Sequence, residues 1–440
     1  MKRIALLCLA FILAFPWAAG AQAQKSAKDD KEERLKDLEE QVRLLQADVQ
    51  TLMAARAAQV VQASAVAPAA HVGVLASPAP ASNSPLAQQA PETGGAQSQL
   101  PVYGGASSMA KVLNPDISVI GDFLGAAGSS NVPPALKAAG RGPLPAFELH
   151  ESEVGLQAIV DPYARADFFL SFGESGVSVE EGYITFTSLP AGFVAKVGKM
   201  RSAFGKVNTL HNHVLPWTDR PLMTENLVGG EDGIDDAGLS VTRILPAPKG
   251  IFLEGTAQAF RGDSGDVFKT SQRSDVSVVG HLRAYRDLTE SSNIDLGFSY
   301  ARGHNDLGST FLTDLYGIDA TFHWTPLRRT IYHNFVGRAE FVWSRRDQLP
   351  IQQRASGFYT SGDYRLSRRW TVGGRYDRSG RARAANLTDN GFSALLTYWP
   401  SEFSQIRGQY RFMRYAEGLN ANELLFQFQF SLGAHGAHPF

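Results

Sequence analysis

The sequence predicts an all-β protein, a 16-stranded antiparallel transmembrane β-barrel preceded by a short α-helical coiled coil and a disordered linker. Three observations carry this. Segments of roughly ten residues with period-two alternation recur from Ile117 onward, no helical segment lies between them to cover their apolar faces, and their connections alternate between tight and long. The remaining apolar partner for such faces is lipid. An open sheet in lipid would leave its edge N–H and C=O groups without partners, so the strands have to close on themselves.

Lys2 and Arg3, the apolar run Ile4 to Trp17 and the small residues Ala19-Gly20-Ala21 read as an export signal over residues 1–23. The single cysteine, Cys8, falls inside it, so the exported chain is expected to carry out no thiol chemistry. Residues 29–55 place Leu35, Leu38, Val42, Leu45, Val49 and Leu52 alternately three and four apart, a heptad seam flanked by Glu39, Gln41, Gln46 and Asp48. So narrow a stripe needs identical partners or a groove. Val at the a positions with Leu at d leans toward two strands. Residues 56–112 are Ala, Pro, Ser, Gln and Gly with almost no charge, a linker that cannot bury enough to order itself.

The barrel is expected over 115–440, its strands centred near Val119, Leu156, Phe168, Ile184, Val197, Leu239, Leu253, Leu282, Phe298, Ala320, Phe341, Phe358, Gly374, Leu396, Tyr410 and Phe428. The last is the clearest. Phe426, Phe428, Phe430 and Leu432 alternate with Gln427, Gln429 and Ser431, giving one apolar and one polar face. Tyr163, Trp324, Trp343, Trp370, Tyr398 and Trp399 fall near strand ends, where an interfacial girdle places them. Long loops are expected at 128–146, 205–235, 261–275, 301–313, 344–355 and 377–390. No stretch of eighteen consecutive apolar residues follows the leader, so only strands are left to span.

The longest loop, Gly205 to Asp235, follows the fifth strand. The stretch Val197-Gly198-Lys199-Met200-Arg201-Ser202-Ala203-Phe204-Gly205-Lys206 and this loop position resemble the phosphate-selective porin superfamily, and the coil with its linker resembles that group's trimeric members. Ala203 stands where the family often has Pro. The resemblance covers roughly 115–440 at the level of architecture, and a terminal aromatic, Phe440, resembles the assembly signal of bacterial outer-membrane barrels. It implies a passive porin for small hydrophilic solutes, a homotrimer held through barrel and coil, with outer-membrane lipid as partner and both termini in the periplasm. No cofactor is implied. Phosphate specificity is not carried over, because the loop has no lysine cluster.

Alternation turns Glu151, Glu153, Asp167, Glu181, Glu254, Asp295 and Asp319 inward from the first half, with Arg165 as an exception. From the second half it turns in Arg338, Arg365, Arg375, Arg407 and Arg411, helped by Arg283, with Glu340 and Asp363 as exceptions. These pore-lining candidates leave two readings open. Either the wall carries a transverse field that orients dipolar solutes, or each arginine pairs with a carboxylate on a neighbouring strand. The loop carries Asp219, Glu225, Glu231, Asp232, Asp235 and Asp236 against Lys206 and Arg220; folded inward, it is expected to face the arginines and set a narrow eyelet. His211-Asn212-His213 is the one local pattern suggestive of a metal, both imidazoles falling on one side of an extended segment, with Asp219 as a carboxylate to join them.

A net charge of −1 suggests no nucleic-acid partner. There is no Gly-x-Ser-x-Gly elbow, so an enzyme is not expected. The competing expectation is an envelope structural protein in which the barrel only anchors and the periplasmic coil tethers.

Overall fold

The computed structural model describes residues 115–174 and 176–433. The expected signal, coiled coil, linker and Phe440 lie outside the described residues. The strands are β1 (Asp116–Ser130), β2 (Glu148–Leu149, continued by Ser152–Asp161), β3 (Ala164–Gly173), β4 (Gly176–Phe186), β5 (Phe193–Arg201), β6 (Asp235–Leu245), β7 (Phe252–Phe260), β8 (Ser277–Thr289), β9 (Ser292–Asn305), β10 (Gly308–Trp324), β11 (Phe335–Arg346), β12 (Gln353–Ser367), β13 (Trp370–Arg381), β14 (Ala384–Ser401), β15 (Ser404–Arg414) and β16 (Asn420–Gly433). Each pairs antiparallel with the next, and β16 pairs with β1, Phe428 opposite Phe123, which closes the sheet. With β2, interrupted at His150 and Glu151, counted as one, the barrel has sixteen strands. Each expected strand centre falls in its own strand.

Alternation sorts the side chains as the sequence requires. In β16, Phe426 and Phe428 are 49% and 46% exposed on the outside, whereas Gln427 and Gln429 are 2% and 0% exposed on the inside. Phe298, Ile318 and Phe392 stand outward in the same way. Among the described residues no second sheet or helix overlies this outer face, and no helix is long and apolar enough to cross a membrane. The interior is polar: Gln427 Nε2 donates to both oxygens of Asp122 (3.0 and 3.1 Å), and Arg407 donates to the Gln427 side-chain carbonyl (2.8 Å).

Two expected long loops are not loops. Over 301–313 and 377–390 the strands continue, with only residues 306–307 and 382–383 left between them. In the first of them the outward positions include the exposed Arg302 while the inward ones include the buried Ala301 and Gly303, so the apolar-out, polar-in alternation disappears from the sequence while the pairing goes on. The end of the barrel carrying these hairpins, called the upper end, also carries the 131–147 connection, with helix α1 (Pro134–Ala138), and the 202–234 segment, with helix α2 (Leu222–Leu227).

The apolar core lies inside the barrel. Phe204, Val207, Trp217, Met223 and Leu227 of the 202–234 segment cluster with the inward residues Leu315, Val342, Tyr359 and Leu395 of β10, β11, β12 and β14. Each large side chain so buried contributes roughly 1.5–3 kcal/mol. The wall makes room with glycine: a Cβ on Gly357 would come within 2.9 Å of Met223 Cβ.

Candidate functional site

The 202–234 segment turns into the barrel as soon as β5 ends. Gly205 takes φ +64°, and a Cβ there would meet Glu340 Oε2 at 2.5 Å, so the turn needs glycine twice over. Glu340 on β11 receives the turn: its Oε1 accepts the N–H groups of Lys206 (3.1 Å) and Val207 (2.8 Å) and the Tyr359 hydroxyl (3.1 Å). Lys206 Nζ reaches Asp295 on β9 (2.6 Å), which Arg283 on β8 also engages (2.7 Å).

The far side of the segment is fastened to the arginine wall. Asp219 accepts from Arg375 on β13 (3.0 Å), Arg411 on β15 (3.0 Å) and Gln409 (2.5 Å). Burial alone would raise the Asp219 pKa; Arg375 and Arg411 instead hold it at about 2. The backbone joins in: Thr218 N–H donates to Gln409 (2.9 Å) and Leu222 N–H to Asp377 (3.2 Å), while the carbonyls of Leu215 and His213 accept from Arg407 (3.0 Å) and Gln429 (2.9 Å). Trp217 packs edge-on against Tyr359, with ring centroids 5.1 Å apart, and the Arg375 guanidinium lies 4.9 Å from its ring.

The third attachment is to β2 and β4. His211 lies between Glu153 (Nδ1 to Oε2, 2.5 Å) and Glu181 (Nε2 to Oε2, 2.8 Å). Burial would lower the His211 pKa, yet these two hydrogen bonds and the Glu180 charge raise it well above the usual range. His211 and His213 come together, ring centroids 5.6 Å apart, through a 3-10 turn at Asn212–Val214 rather than the extended segment expected. Asp219 does not join them, being held at the opposite wall by Arg375 and Arg411; Glu153, Glu180 and Glu181 are there instead.

The inward charges are largely paired. Arg165 binds Asp167, Arg338 binds Asp363, Arg375 binds Asp377 and Arg411 binds Glu423, so of the two carboxylates expected to interrupt the arginine half Asp363 is an arginine's partner, whereas Glu340 holds the loop. Arg338, Ser361, Arg375, Ser393, Arg411 and Glu423 lie on one row of opposed residues from β11 to β16. Glu254 lies opposite Arg283, Asp319 opposite Glu340, and Arg365 is buried lower on β12. Of the loop candidates only Asp219 reaches the arginines. Arg220 braces the loop itself through Asn212 and the carbonyls of Val207 and Leu210. Glu225 pairs with Arg141, Glu231 pairs with His150, Asp232 is exposed, and Asp235 and Asp236 already belong to β6. Glu151 accepts from Asn212.

Sequence reasoning missed Glu180. A register shift opposite Phe169 and Leu170 makes it the extra residue of a β-bulge, so Glu180 and Glu181 are both buried despite being adjacent. Two consecutive acids in a strand were the available signal.

No protein-family model matches the chain. Over 339 residues it is 30% identical to an uncharacterized protein of Aquifex aeolicus, an alignment that takes in 67% of this chain and 70% of the relative. The chain belongs to that protein's family. Two solved structures share its barrel fold with a TM-score of 0.50: the outer membrane channel DcaP of Acinetobacter baumannii, at 13% identity over 75% of this chain and 100% of that one, and an anion-selective porin from Comamonas acidovorans, at 11% identity over 72% and 99%.

Proposed function

We propose that this chain is a passive porin of the bacterial outer membrane, through which small hydrophilic solutes diffuse, and that loop 205–235 forms its constriction. The observation that carries the reading is the inverted surface of the closed sheet. Phenylalanine and isoleucine stand outward without cover while glutamine, arginine and carboxylates fill the inside, the arrangement that lipid outside and water inside demand. The constriction rests on the three attachments of the loop, to Glu340, to Arg375 and Arg411, and to Glu153 and Glu181. Because most wall charges are paired, the inward-facing candidates above line the path as local dipoles rather than as a free field of one sign. Homotrimeric assembly, periplasmic termini and a place among the coil-bearing members of the phosphate-selective porin superfamily belong to the same proposal.

Planar-bilayer recording of the refolded protein tests it: stepwise conductance is the expected result, and a folded barrel without conductance refutes it. The packing of Phe204, Trp217 and Met223 inside the barrel favours a second reading, an envelope anchor with a filled lumen, which that negative result would support.

A further inference from the structure

We propose that the cluster where the loop meets β2 and β4 is a binding site for a divalent transition-metal ion of the zinc class, with Glu153, Glu180, His211 and His213 as ligands. The inference stands whether or not the barrel conducts. Three donor atoms converge there, and Glu180 lies beside them. His211 Nδ1 is 2.5 Å from Glu153 Oε2 and 3.6 Å from Glu180 Oε2, and His213 Nδ1 is 3.7 Å from the same Glu153 oxygen. Donor atoms of Glu153, His211 and His213 all lie within 4.8 Å of one another, and all three residues are buried. A tetrahedral ion with bonds near 2.1 Å separates its ligands by about 3.4 Å, so the donors of Glu153, His211 and His213 need shift only by fractions of an ångström to roughly an ångström and a half, and Glu180 Oε2 has to turn in further to complete the set. Two imidazoles and a carboxylate, with a second carboxylate beside them, suit zinc and its neighbours rather than calcium or magnesium, which favour all-oxygen shells.

The supporting residues leave the right atoms facing the centre. Glu180 gives Oε1 to the Arg201 side chain, whereas its Oε2 is buried, has no N–H donor and lies 3.6 Å from His211 Nδ1, with the Glu151 carboxyl group on its other side; the residue is only 5% exposed. Glu181 has the orienting part. Its Oε1 accepts the Arg201 N–H (2.7 Å) and its Oε2 holds His211 Nε2 (2.8 Å), which turns Nδ1 toward the other donors as the outer carboxylate of a carboxylate–histidine–metal triad does. The β-bulge is what allows both acids to serve, one as ligand and one as support. Arg201, the nearby cation, is held on the far oxygen of Glu180.

The test is calorimetric titration of zinc chloride into the full chain refolded in detergent, with the tail residues His435 and His438 replaced by alanine in every sample. One ion per chain is expected, weakened at least tenfold by Glu180→Gln and by His213→Ala, each checked for folding by heat-modifiable migration. Absence of uptake overturns the proposal. So does uptake that survives both substitutions, or that is lost with Glu231→Gln and not with His213→Ala, which would place the ion at the neighbouring His150, Glu151 and Glu231 group. If either substituted chain fails to fold, zinc-edge X-ray absorption on the parent decides: two imidazoles with carboxylate oxygen support the site, and an all-oxygen shell overturns it.

Discussion

Replacing Asp219 by Asn keeps the shape of the side chain and removes the charge that ties the loop to β13 and β15. Arg375 donates to Oδ1 and Arg411 to Oδ2, both at 3.0 Å, and an amide has one accepting oxygen, so one of these hydrogen bonds survives without the ion-pair attraction and the other is lost. Each arginine retains a second carboxylate, Asp377 at 2.7 Å and Glu423 at 2.5 Å, so neither is left as an isolated buried charge, and the full 3–5 kcal/mol typical of breaking a buried pair does not apply. A separate route gives a similar magnitude. The Asp219 pKa is lowered from 3.8 to about 2, and that shift corresponds to about 2 kcal/mol of anchoring. A loss of this size raises the undocked population of the loop about thirty-fold. Trypsin cleavage between Lys206 and Val207, a bond that is buried while the loop is docked, reads that population when opening is fast relative to cutting. Asp219→Asn is expected to be cut roughly thirty times faster than the parent; a change of less than twofold would refute the anchoring argument. Because the folded pKa is depressed, the anchor is fully present above about pH 4 and is lost only as pH falls through about 2. In planar-bilayer recording Asp219→Asn is therefore expected to add conductance noise that the parent protein at pH 4 does not show.

Gly205→Ala places a side chain at φ +64° and drives its Cβ against Glu340, so the loop is expected to loosen by at least the roughly 1–2 kcal/mol of a left-handed residue, read as faster proteolysis at unchanged heat-modifiable migration. Trp217→Ala removes a side chain only 1% exposed from the cluster inside the barrel and is expected to lower stability by about 3–5 kcal/mol, seen as a lower urea midpoint. Phe428→Arg puts a cation on the outer face and is expected to cost about 2–4 kcal/mol in liposomes if that face meets the middle of a bilayer; an unchanged refolding yield would count against lipid as its partner.

The strands were legible because alternation is a local property. Gln427, Gln429 and Ser431 report their face through their immediate neighbours, and that is all a barrel strand needs in order to be placed. Near the upper end this signal fails for a physical reason: around Arg302 the outward residue is charged while the inward Ala301 and Gly303 are small and buried, so the usual apolar-out, polar-in order is lost, and 301–313 reads as loop although the ladder runs on from Ala301 to Asn305. Partners were less legible than faces. Alternation turned both Arg338 and Glu340 inward, but whether an arginine meets a carboxylate on its own strand or the next depends on register, and Arg338 chose Asp363 across the ladder while Glu340 took backbone N–H groups of the loop.

The loop shows the limit most sharply. Its composition is acidic, and counting charges predicts attraction to the arginine wall as a whole. In the fold a single carboxylate, Asp219, makes that contact, while Glu225, Glu231 and Asp235 find cations at Arg141, His150 and Lys199 nearer the upper end. What sets the path is the apolar set, Phe204, Val207, Trp217, Met223 and Leu227, which needs a dry surface, and the inner wall supplies one where Leu315, Val342, Tyr359 and Leu395 interrupt its polar lining. Those four lie on β10, β11, β12 and β14, so the loop crosses toward them, and the ion pairs lock the crossing. Burial of this set outweighs the one buried carboxylate in total free energy, which is why Trp217→Ala is expected to disturb the loop more than Asp219→Asn does. The reverse order in the proteolysis rates would show that charge, and not apolar surface, directs the segment inward.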